Sequence, residues 1–247
     1  MAKKPKPIKI TLGDNDSLHY SGSQSLNVKG GAEGNTIVLG DGNDTINGGD
    51  GNDYIDAGNG NNTIDAGADD DMVTSGSGND SIKLGSGNDN FWSGSGNDIV
   101  DGGSGSDSIT GANALGESSK FYGGTGNDFI GFYGAGKALL DGGNGNDTFW
   151  VGGGGQITIN TGSGHDTIAF LGNGPASVKI TNFSLPNDWL NFSNLGKWSY
   201  HDQDNDGYYD EFHFDAIDPS QISLVGGDLV LGDAGEFGAI DLPLLGI

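Results

Sequence analysis

Apolar side chains recur at every ninth position between residues 30 and 110, and glycine and polar residues fill the positions between them. Each nine-residue unit has glycine second and usually fourth, an acidic residue sixth in most units, and an apolar residue eighth. The units are 39–47 (LGDGNDTIN), 48–56 (GGDGNDYID), 57–65 (AGNGNNTID), 66–74 (AGADDDMVT), 75–83 (SGSGNDSIK), 84–92 (LGSGNDNFW), 93–101 (SGSGNDIVD) and 102–110 (GGSGSDSIT). Residues 30–38 keep this frame but have Asn35 where the acid is expected.

This period predicts short strands that alternate with tight turns. Glycine at the second and fourth positions permits backbone angles closed to other residues, so six residues form a turn and three form a strand with one inward side chain. Two units then close one coil of 18 residues, and the sequence predicts an all-β, right-handed parallel β-roll, a form of β-helix solenoid. The predicted inward set is Ile37, Ile46, Ile55, Ile64, Val73, Ile82, Phe91, Val100 and Ile109.

The frame changes after residue 110. Residues 123–131, 142–150 and 161–169 keep the motif, and the segments between them, 111–122, 132–141 and 151–160, lack its aspartate but end in strand-like sequences. One interpretation is a continuous roll whose coils grow to about 19–21 residues and carry the motif on one side only. The alternative is a set of disordered insertions between isolated motifs. The regular alternation favours the continuous roll.

Turns two units apart stack on the same edge of such a roll, so the sixth-position residues form two rows. The first edge would carry Asp53, Asp71, Asp89 and Asp107 and continue through Asp128, Asp147 and Asp166. The second edge would carry Asp44, Asn62, Asp80 and Asp98. Asn62 lacks a charge and is expected to weaken cation binding at its turn. Asp69 replaces a fourth-position glycine, and we expect a distorted but occupied turn there because Asp tolerates left-handed angles.

Composition and charge indicate what such rows would bind. The formal net charge is -24, and all but four of the 34 acidic residues are Asp, a short ligand for hard cations. All ten basic residues are Lys, which excludes an Arg phosphate clamp and makes nucleic acid an unsuitable partner. There is no Cys for a disulfide or a thiolate metal site. One apolar residue per strand cannot offset the ordering entropy of nine residues, so cations must supply the remaining stabilisation.

The nonapeptide resembles the repeat of the RTX (repeat-in-toxin, hemolysin-type) calcium-binding family, Gly-Gly-x-Gly-x-Asp-x-apolar-x, over roughly residues 30–169. The resemblance implies a β-roll that binds roughly eight to ten calcium ions between stacked turns. Lanthanides share calcium's preference for oxygen and remain an alternative metal. Beside the sixth-position residues named above, the expected turn ligands are Gly40, Gly42, Gly49, Gly51, Gly58, Gly60, Gly76, Gly78, Gly85, Gly87, Gly94, Gly96, Gly103, Gly105, Gly124, Gly126, Gly143, Gly145, Gly162 and Gly164.

The sequence divides into four regions. Residues 1–29 read as an N-terminal cap with imperfect coils, 30–110 as the regular calcium roll, 111–169 as its one-edged continuation and 170–247 as a C-terminal cap. The last region contains DQDNDGYYDE, in which Asp202, Asp204, Asp206 and Asp210 match the start of a D-x-D-x-D-G calcium loop. His213 stands where an EF-hand needs Glu, so we expect a calcium loop of another kind, with a solvated acidic turn as the alternative.

The flanks bear on localisation. The basic N-terminus, MAKKPKPIKI, has no apolar stretch of a secretory signal peptide, and no run of residues is apolar enough for a transmembrane segment. Proteins of the RTX family are typically exported by type I secretion machinery that reads an uncleaved C-terminal signal, and the apolar tail FGAIDLPLLGI is compatible with one. The resemblance therefore implies a secreted protein, extracellular or at the cell surface.

The sequence lacks two common catalytic motifs. There is no G-x-S-x-G elbow and no H-E-x-x-H metal motif. His165 stands beside Asp166, but that aspartate is better explained as a ligand in the repeat. We expect no catalytic residue and no enzyme activity.

Four aromatic residues fall at outward positions on one face of the predicted roll, namely Tyr54, Trp92, Phe129 and Trp150. Exposed aromatic rings in a line could stack against sugar rings, which makes an extracellular polysaccharide a candidate partner. The alternative, which we favour, is that residues 175–247 cover them.

The sequence thus predicts a secreted calcium-binding RTX β-roll whose folding is triggered by extracellular calcium, acting as a structural, surface or binding module. Two alternatives stay open. One is a non-catalytic module or relative of an RTX polysaccharide-modifying or hydrolytic enzyme, and the other is a membrane-active secreted RTX protein.

Overall fold

The fold is known from a computed structural model that describes residues 5–171, 177–183, 187–194, 198–201, 211–214, 222–225 and 228–231, with only the backbone described beyond residue 190. These residues form β-strands and turns, and they include no helix that could span a lipid bilayer. The strands are numbered below in chain order.

Successive strands alternate between two long parallel sheets. The first sheet contains β1 (Ile8–Thr11), β3 (Leu26–Lys29), β5 (Thr45–Asp50), β7 (Thr63–Ala68), β9 (Ser81–Ser86), β11 (Ile99–Ser104), β13 (Ser118–Thr125), β15 (Lys137–Asn144), β17 (Gln156–Asn160) and β19 (Ser177–Thr181). The second contains β2 (Ser17–His19), β4 (Thr36–Val38), β6 (Tyr54–Asp56), β8 (Met72–Thr74), β10 (Asn90–Trp92), β12 (Ser108–Gly111), β14 (Phe129–Phe132), β16 (Thr148–Val151), β18 (Thr167–Leu171) and β20 (Trp189–Asn194).

The strand register measures the length of each coil. Ile46 pairs with Ile64 and Ile64 with Ile82, so these coils have 18 residues. The coil grows to 21 residues between Ile99 and Lys120 and then to 19 between β13 and β15. The predicted coil lengths are therefore confirmed. Residues 118–160 form β13 to β17, which alternate between the two sheets, so the continuous roll is correct and the disordered insertions are not.

The core lies between the two sheets and is thicker than predicted. Every residue of the predicted inward set is buried, with at most 1% of its surface exposed. The first position of a unit also points inward, because side chains two residues apart lie on the same face of a strand. Leu84 is fully buried in this way, two residues after Ile82. The prediction of one inward side chain per strand is confirmed for the three-residue strands β4, β6, β8 and β10. It was wrong for the six-residue strands β5, β7, β9 and β11, where small residues at many first positions hid the second inward side chain.

The later coils have a larger apolar core. Phe121, Phe132, Phe149 and Phe170 are all fully buried, and the rings of Phe121 and Phe132 lie 6.4 Å apart. These residues fill the wider coils of 19 and 21 residues.

The parallel pattern of the first sheet ends beyond residue 181. β19 pairs antiparallel with β24 (Asp228–Leu231), which pairs antiparallel with β23 (Ile222–Val225). A separate antiparallel pair joins β21 (Trp198–His201) and β22 (Glu211–Phe214). The predicted D-x-D-x-D-G loop, with Asp202, Asp204, Asp206 and Asp210, lies outside the described residues.

Candidate calcium-binding rows on the two edges

The sixth-position aspartates of the first edge form a continuous hydrogen-bonded ladder. In each coil the backbone N–H of the aspartate donates to Oδ1 of the aspartate one coil later, at 2.8 Å from Asp53 to Asp71 and 2.7 Å from Asp71 to Asp89. The ladder continues through Asp107, Asp128, Asp147 and Asp166 with distances of 2.8 to 2.9 Å. The predicted first edge is thus one unbroken row.

The second edge carries a shorter ladder of the same kind. The N–H of Asp44 donates to Asn62 Oδ1 at 2.9 Å, that of Asn62 to Asp80 Oδ1 at 2.7 Å, and that of Asp80 to Asp98 Oδ1 at 3.0 Å. The row ends where the Asp98 N–H donates to the Ser119 hydroxyl at 2.8 Å. Ser119 stands on a coil without the motif, which is why this edge does not continue.

The second oxygen of these carboxylates is the important feature of both rows. Each of these side chains uses Oδ1 in its ladder, whereas Oδ2 is buried and has no hydrogen-bond partner within the described part of the chain. Nine aspartates share this condition: Asp44, Asp53, Asp71, Asp80, Asp89, Asp107, Asp128, Asp147 and Asp166. Asp98 differs, because its Oδ2 accepts a hydrogen bond from the Ser93 hydroxyl. Burying a carboxylate oxygen without a hydrogen-bond donor costs folding free energy, and a bound cation beside each of these atoms would remove that cost.

Backbone carbonyls converge on the same points. A Cβ atom added to Gly48 would come within 3.0 Å of both Asp53 Oδ2 and the carbonyl oxygen of Ala66, one coil later. Gly102 has the same relation to Asp107 Oδ2 and the Gly123 carbonyl. A Cβ atom added to Gly123 or Gly142 would likewise lie within 3.0 Å of an aspartate Oδ2, that of Asp128 or Asp147, and of a carbonyl oxygen one coil later. Four gaps of the first edge are therefore lined by oxygen atoms from two coils.

Glycine is required in the turns for two reasons, as Gly105 illustrates. Its φ of 127° lies in the left-handed region that side chains disfavour. An added Cβ would also collide with the carbonyl oxygen of Gly87, one coil earlier. The close stacking that excludes a side chain is the same stacking that aligns the turn carbonyls in rows.

Burial raises the pKa of the row aspartates. Loss of solvation is the main cause, and neighbouring carboxylates add to it, so that the pKa of Asp71 rises from 3.8 to about 8. The pKa values of Asp107 and Asp147 rise to about 7 and that of Asp80 to about 6 for the same main reason. The ladder N–H groups oppose this shift. A buried carboxylate with a raised pKa is stabilised either by a proton or by a bound cation.

The donor set fits calcium. Calcium takes six to eight oxygen ligands from carboxylates and carbonyls in flexible geometry, and the gaps supply both kinds from neighbouring coils. Nowhere in the described ranges do three or more His, Asp or Glu side chains cluster around one point. The gaps therefore differ from a carboxylate cage, since backbone carbonyls must complete each coordination shell.

Two residues extend the first row beyond its predicted members. Asp188 is buried and extends the first edge, because its Oδ1 accepts the Asp166 N–H at 3.1 Å. The signal was present as Asn-Asp-x-apolar at residues 187–190, but without the glycines of the turn. Asn35 begins the same edge, and its N–H donates to Asp53 Oδ1 at 2.5 Å.

Two other expectations concern single residues. Asp69 has a φ of 75°, so it adopts the left-handed conformation of the glycine it replaces. His165 lies on the surface, where its Nδ1 is 3.2 Å from the Asn187 carbonyl oxygen.

The predicted aromatic residues lie on four different strands of the second sheet and point away from the core. Tyr54, Trp92 and Trp150 are each more than 40% exposed, and Phe129 is half-buried. The rings of Phe129 and Trp150 meet edge-on with centroids 5.3 Å apart.

Comparison with known families agrees with this geometry. The sequence model of the RTX calcium-binding nonapeptide repeat, in four copies, matches residues 29–64, 49–82, 74–109, 119–130 and 134–155. The protein is a calcium-binding β-roll of parallel strands. Its repeats belong to the RTX calcium-binding family. No curated protein and no solved structure matches the chain.

Proposed function

We propose that this protein is a secreted RTX module whose folding is triggered by extracellular calcium. The observation that carries the proposal is the presence of nine buried aspartate Oδ2 atoms without a donor in the described residues. Without a cation the folded state must bury these oxygens uncompensated, which opposes folding. Calcium bound in the gaps removes that cost and links the stacked turns, so binding and folding become one event.

The ion count is part of the same proposal. Nine such oxygens agree with roughly eight to ten calcium ions, the number that the repeats suggest. At two charges each, these ions would offset most of the net charge of -24.

Circular dichroism of the calcium-stripped protein tests the proposal. We expect a disordered spectrum that becomes β-rich on titration with calcium, with a midpoint of about 10⁻⁴–10⁻³ M, as for extracellular modules. Magnesium is the control, because it requires smaller, near-octahedral sites and keeps its waters. A β-rich spectrum that is unchanged after complete removal of metal would disprove calcium-triggered folding.

Secretion by type I machinery and the absence of enzyme activity belong to the same proposal. Low calcium inside a cell would keep the chain unfolded for export, and higher calcium outside would fold it. The support is the family membership of the repeats together with the lack of a catalytic motif in the sequence. Export from a host that supplies a type I system, abolished by deletion of residues 237–247, would support this role.

The aromatic face favours a second candidate function, binding of an extracellular polysaccharide. Tyr54, Trp92 and Trp150 are each more than 40% exposed on the outer face of one sheet, a surface suited to stacking against sugars. A glycan array probed with the calcium-loaded protein tests it. The double variant Trp92→Ala/Trp150→Ala should lose binding, and Met72→Ala, on the same face, should retain it.

A further inference from the structure

Asn62 differs from its neighbours in what its second side-chain atom does. Its Oδ1 accepts the Asp44 N–H and so occupies the ladder as an aspartate would. Its Nδ2 donates to two carbonyl oxygens, those of Gly58 and Ser75, each at 3.3 Å. Asn62 is only 2% exposed, so water does not compete for these bonds.

The two carbonyls come from the two turns that border one gap. Gly58 stands at the second position of the turn that contains Asn62, and Ser75 is the first residue of the unit one coil later. Ser75 holds the same place relative to Asn62 that Ala66 holds relative to Asp53, thirteen residues after the sixth position. At Asp53 the corresponding carbonyl oxygen and Oδ2 both lie within 3.0 Å of a Cβ atom added at Gly48, and that Oδ2 has no hydrogen-bond donor among the described residues. At Asn62 an N–H₂ group lies between the oxygens instead.

The orientation of the amide is fixed by its partners. Exchanging Oδ1 and Nδ2 would set a donor against the Asp44 N–H and an acceptor against the two carbonyls, losing all three hydrogen bonds. The N–H₂ group therefore faces the gap in the only arrangement that satisfies its surroundings.

We infer that the Asn62 amide takes the place of one calcium ion in the second edge. The gap between the turns of residues 57–62 and 75–80 is closed by hydrogen bonds, holds no ion, and divides the cations of that edge into two groups. This inference rests on the proposal that the other gaps bind calcium.

The test is the number of calcium ions bound per chain, counted by native mass spectrometry of the folded protein. The variant Asn62→Asp replaces the amide with a carboxylate and should bind one ion more than the parent. The matched control Thr63→Asp adds the same charge at the next residue, which is exposed, and should bind the same number as the parent.

The outcomes separate the inference from the proposal beneath it. A parent that binds no calcium disproves the proposed function. A parent that binds calcium, with an Asn62→Asp variant that binds the same number, overturns the inference alone. If that variant does not fold, an anomalous-scattering map of crystals of the calcium-loaded parent decides. A peak beside Asn62 Nδ2 overturns the inference, and an empty gap between occupied neighbours supports it.

Discussion

Nine of the row aspartates have two tasks, one for each of their carboxylate oxygens. Oδ1 completes a hydrogen bond to the preceding coil, and Oδ2 faces a gap between turns. The amide of Asn62 still accepts the ladder hydrogen bond through Oδ1, but its Nδ2 places a hydrogen-bond donor in the gap where aspartate places an acceptor. The chemistry of a single side-chain atom therefore decides between a metal ion and a hydrogen bond.

Replacing Asp107 by Asn separates these tasks. We expect Asp107→Asn to retain the ladder but to bind one calcium ion fewer and to fold only at higher calcium, by several-fold in the midpoint. The control is Asp65→Asn, which removes an exposed carboxylate of the same charge from the outer face. Calcium titration followed by circular dichroism measures both, and equal midpoints for the two variants would contradict a ligand role for Asp107.

Gly105 tests the close stacking of the turns. In Gly105→Ala the new side chain would have a left-handed φ and would collide with the Gly87 carbonyl oxygen. We therefore expect the free energy of unfolding in saturating calcium to fall by at least ~3 kcal/mol. Gly116→Ala is the matched control, because its φ is 95° but nothing lies within 4 Å of the added atom. That variant should lose only about 1–2 kcal/mol. Thermal unfolding in saturating calcium compares them, and similar losses would exclude the steric argument.

At the scale of the strand, the roll has two unlike parts. Strands β4 to β12 are short, and their turns carry aspartates on both edges. Strands β13 to β18 enclose several buried phenylalanines and have row aspartates on the first edge only. The earlier coils thus depend more on cations and the later coils more on apolar burial.

Hydrogen exchange at limiting calcium can measure this difference. As calcium is lowered, we expect amides of 45–104 to lose protection before those of 118–170, because fewer apolar contacts remain once the ions leave. Mass spectrometry of peptides from the two ranges provides the comparison. Loss of protection in both ranges at one calcium concentration would mean that the roll opens as a single unit.

The sequence predicted most of these elements because the nine-residue period fixes the register of the 18-residue coils up to residue 110. Ile64 and Phe91 could be assigned to the core from their place in the frame alone. Leu84 could not, because glycine, alanine or serine stands at its position in most other units and hides the second inward row. Asp188 was missed because its turn lacks the glycines. The ladder bonds join residues about 18 positions apart and leave no trace in a local motif.

At the scale of the whole molecule, protons and calcium compete for the same oxygens. The folded-state pKa of Asp71 is raised to about 8 and those of Asp107 and Asp147 to about 7, against 3.8 ordinarily. A raised pKa means that the folded state binds protons more tightly than the unfolded chain. Protonation of these aspartates therefore contributes its full stabilisation of the folded state only below about pH 4. That stabilisation is lost as the pH rises through 6 to 8.

We therefore expect the calcium-stripped protein to be more ordered at pH 4 than at pH 8. Circular dichroism across this range, with metal removed beforehand, measures the change. Calcium should reverse the trend, since it binds the charged carboxylates that predominate at higher pH. The variant Asp71→Asn should flatten the calcium-free profile, and a calcium-free protein that gains order toward pH 8 would contradict the assigned shifts.

The stacking of coils also has a mechanical meaning. β1 lies at one end of the first sheet and the parallel stack ends at β19, so the chain enters and leaves the stack at opposite ends. A pulling force along this axis would load the gaps in series, and each released coil of 18 residues would add about 60 Å of extended chain. Bound ions would then cross-link neighbouring coils, and the force needed to detach each coil would depend on the calcium concentration of the surrounding fluid.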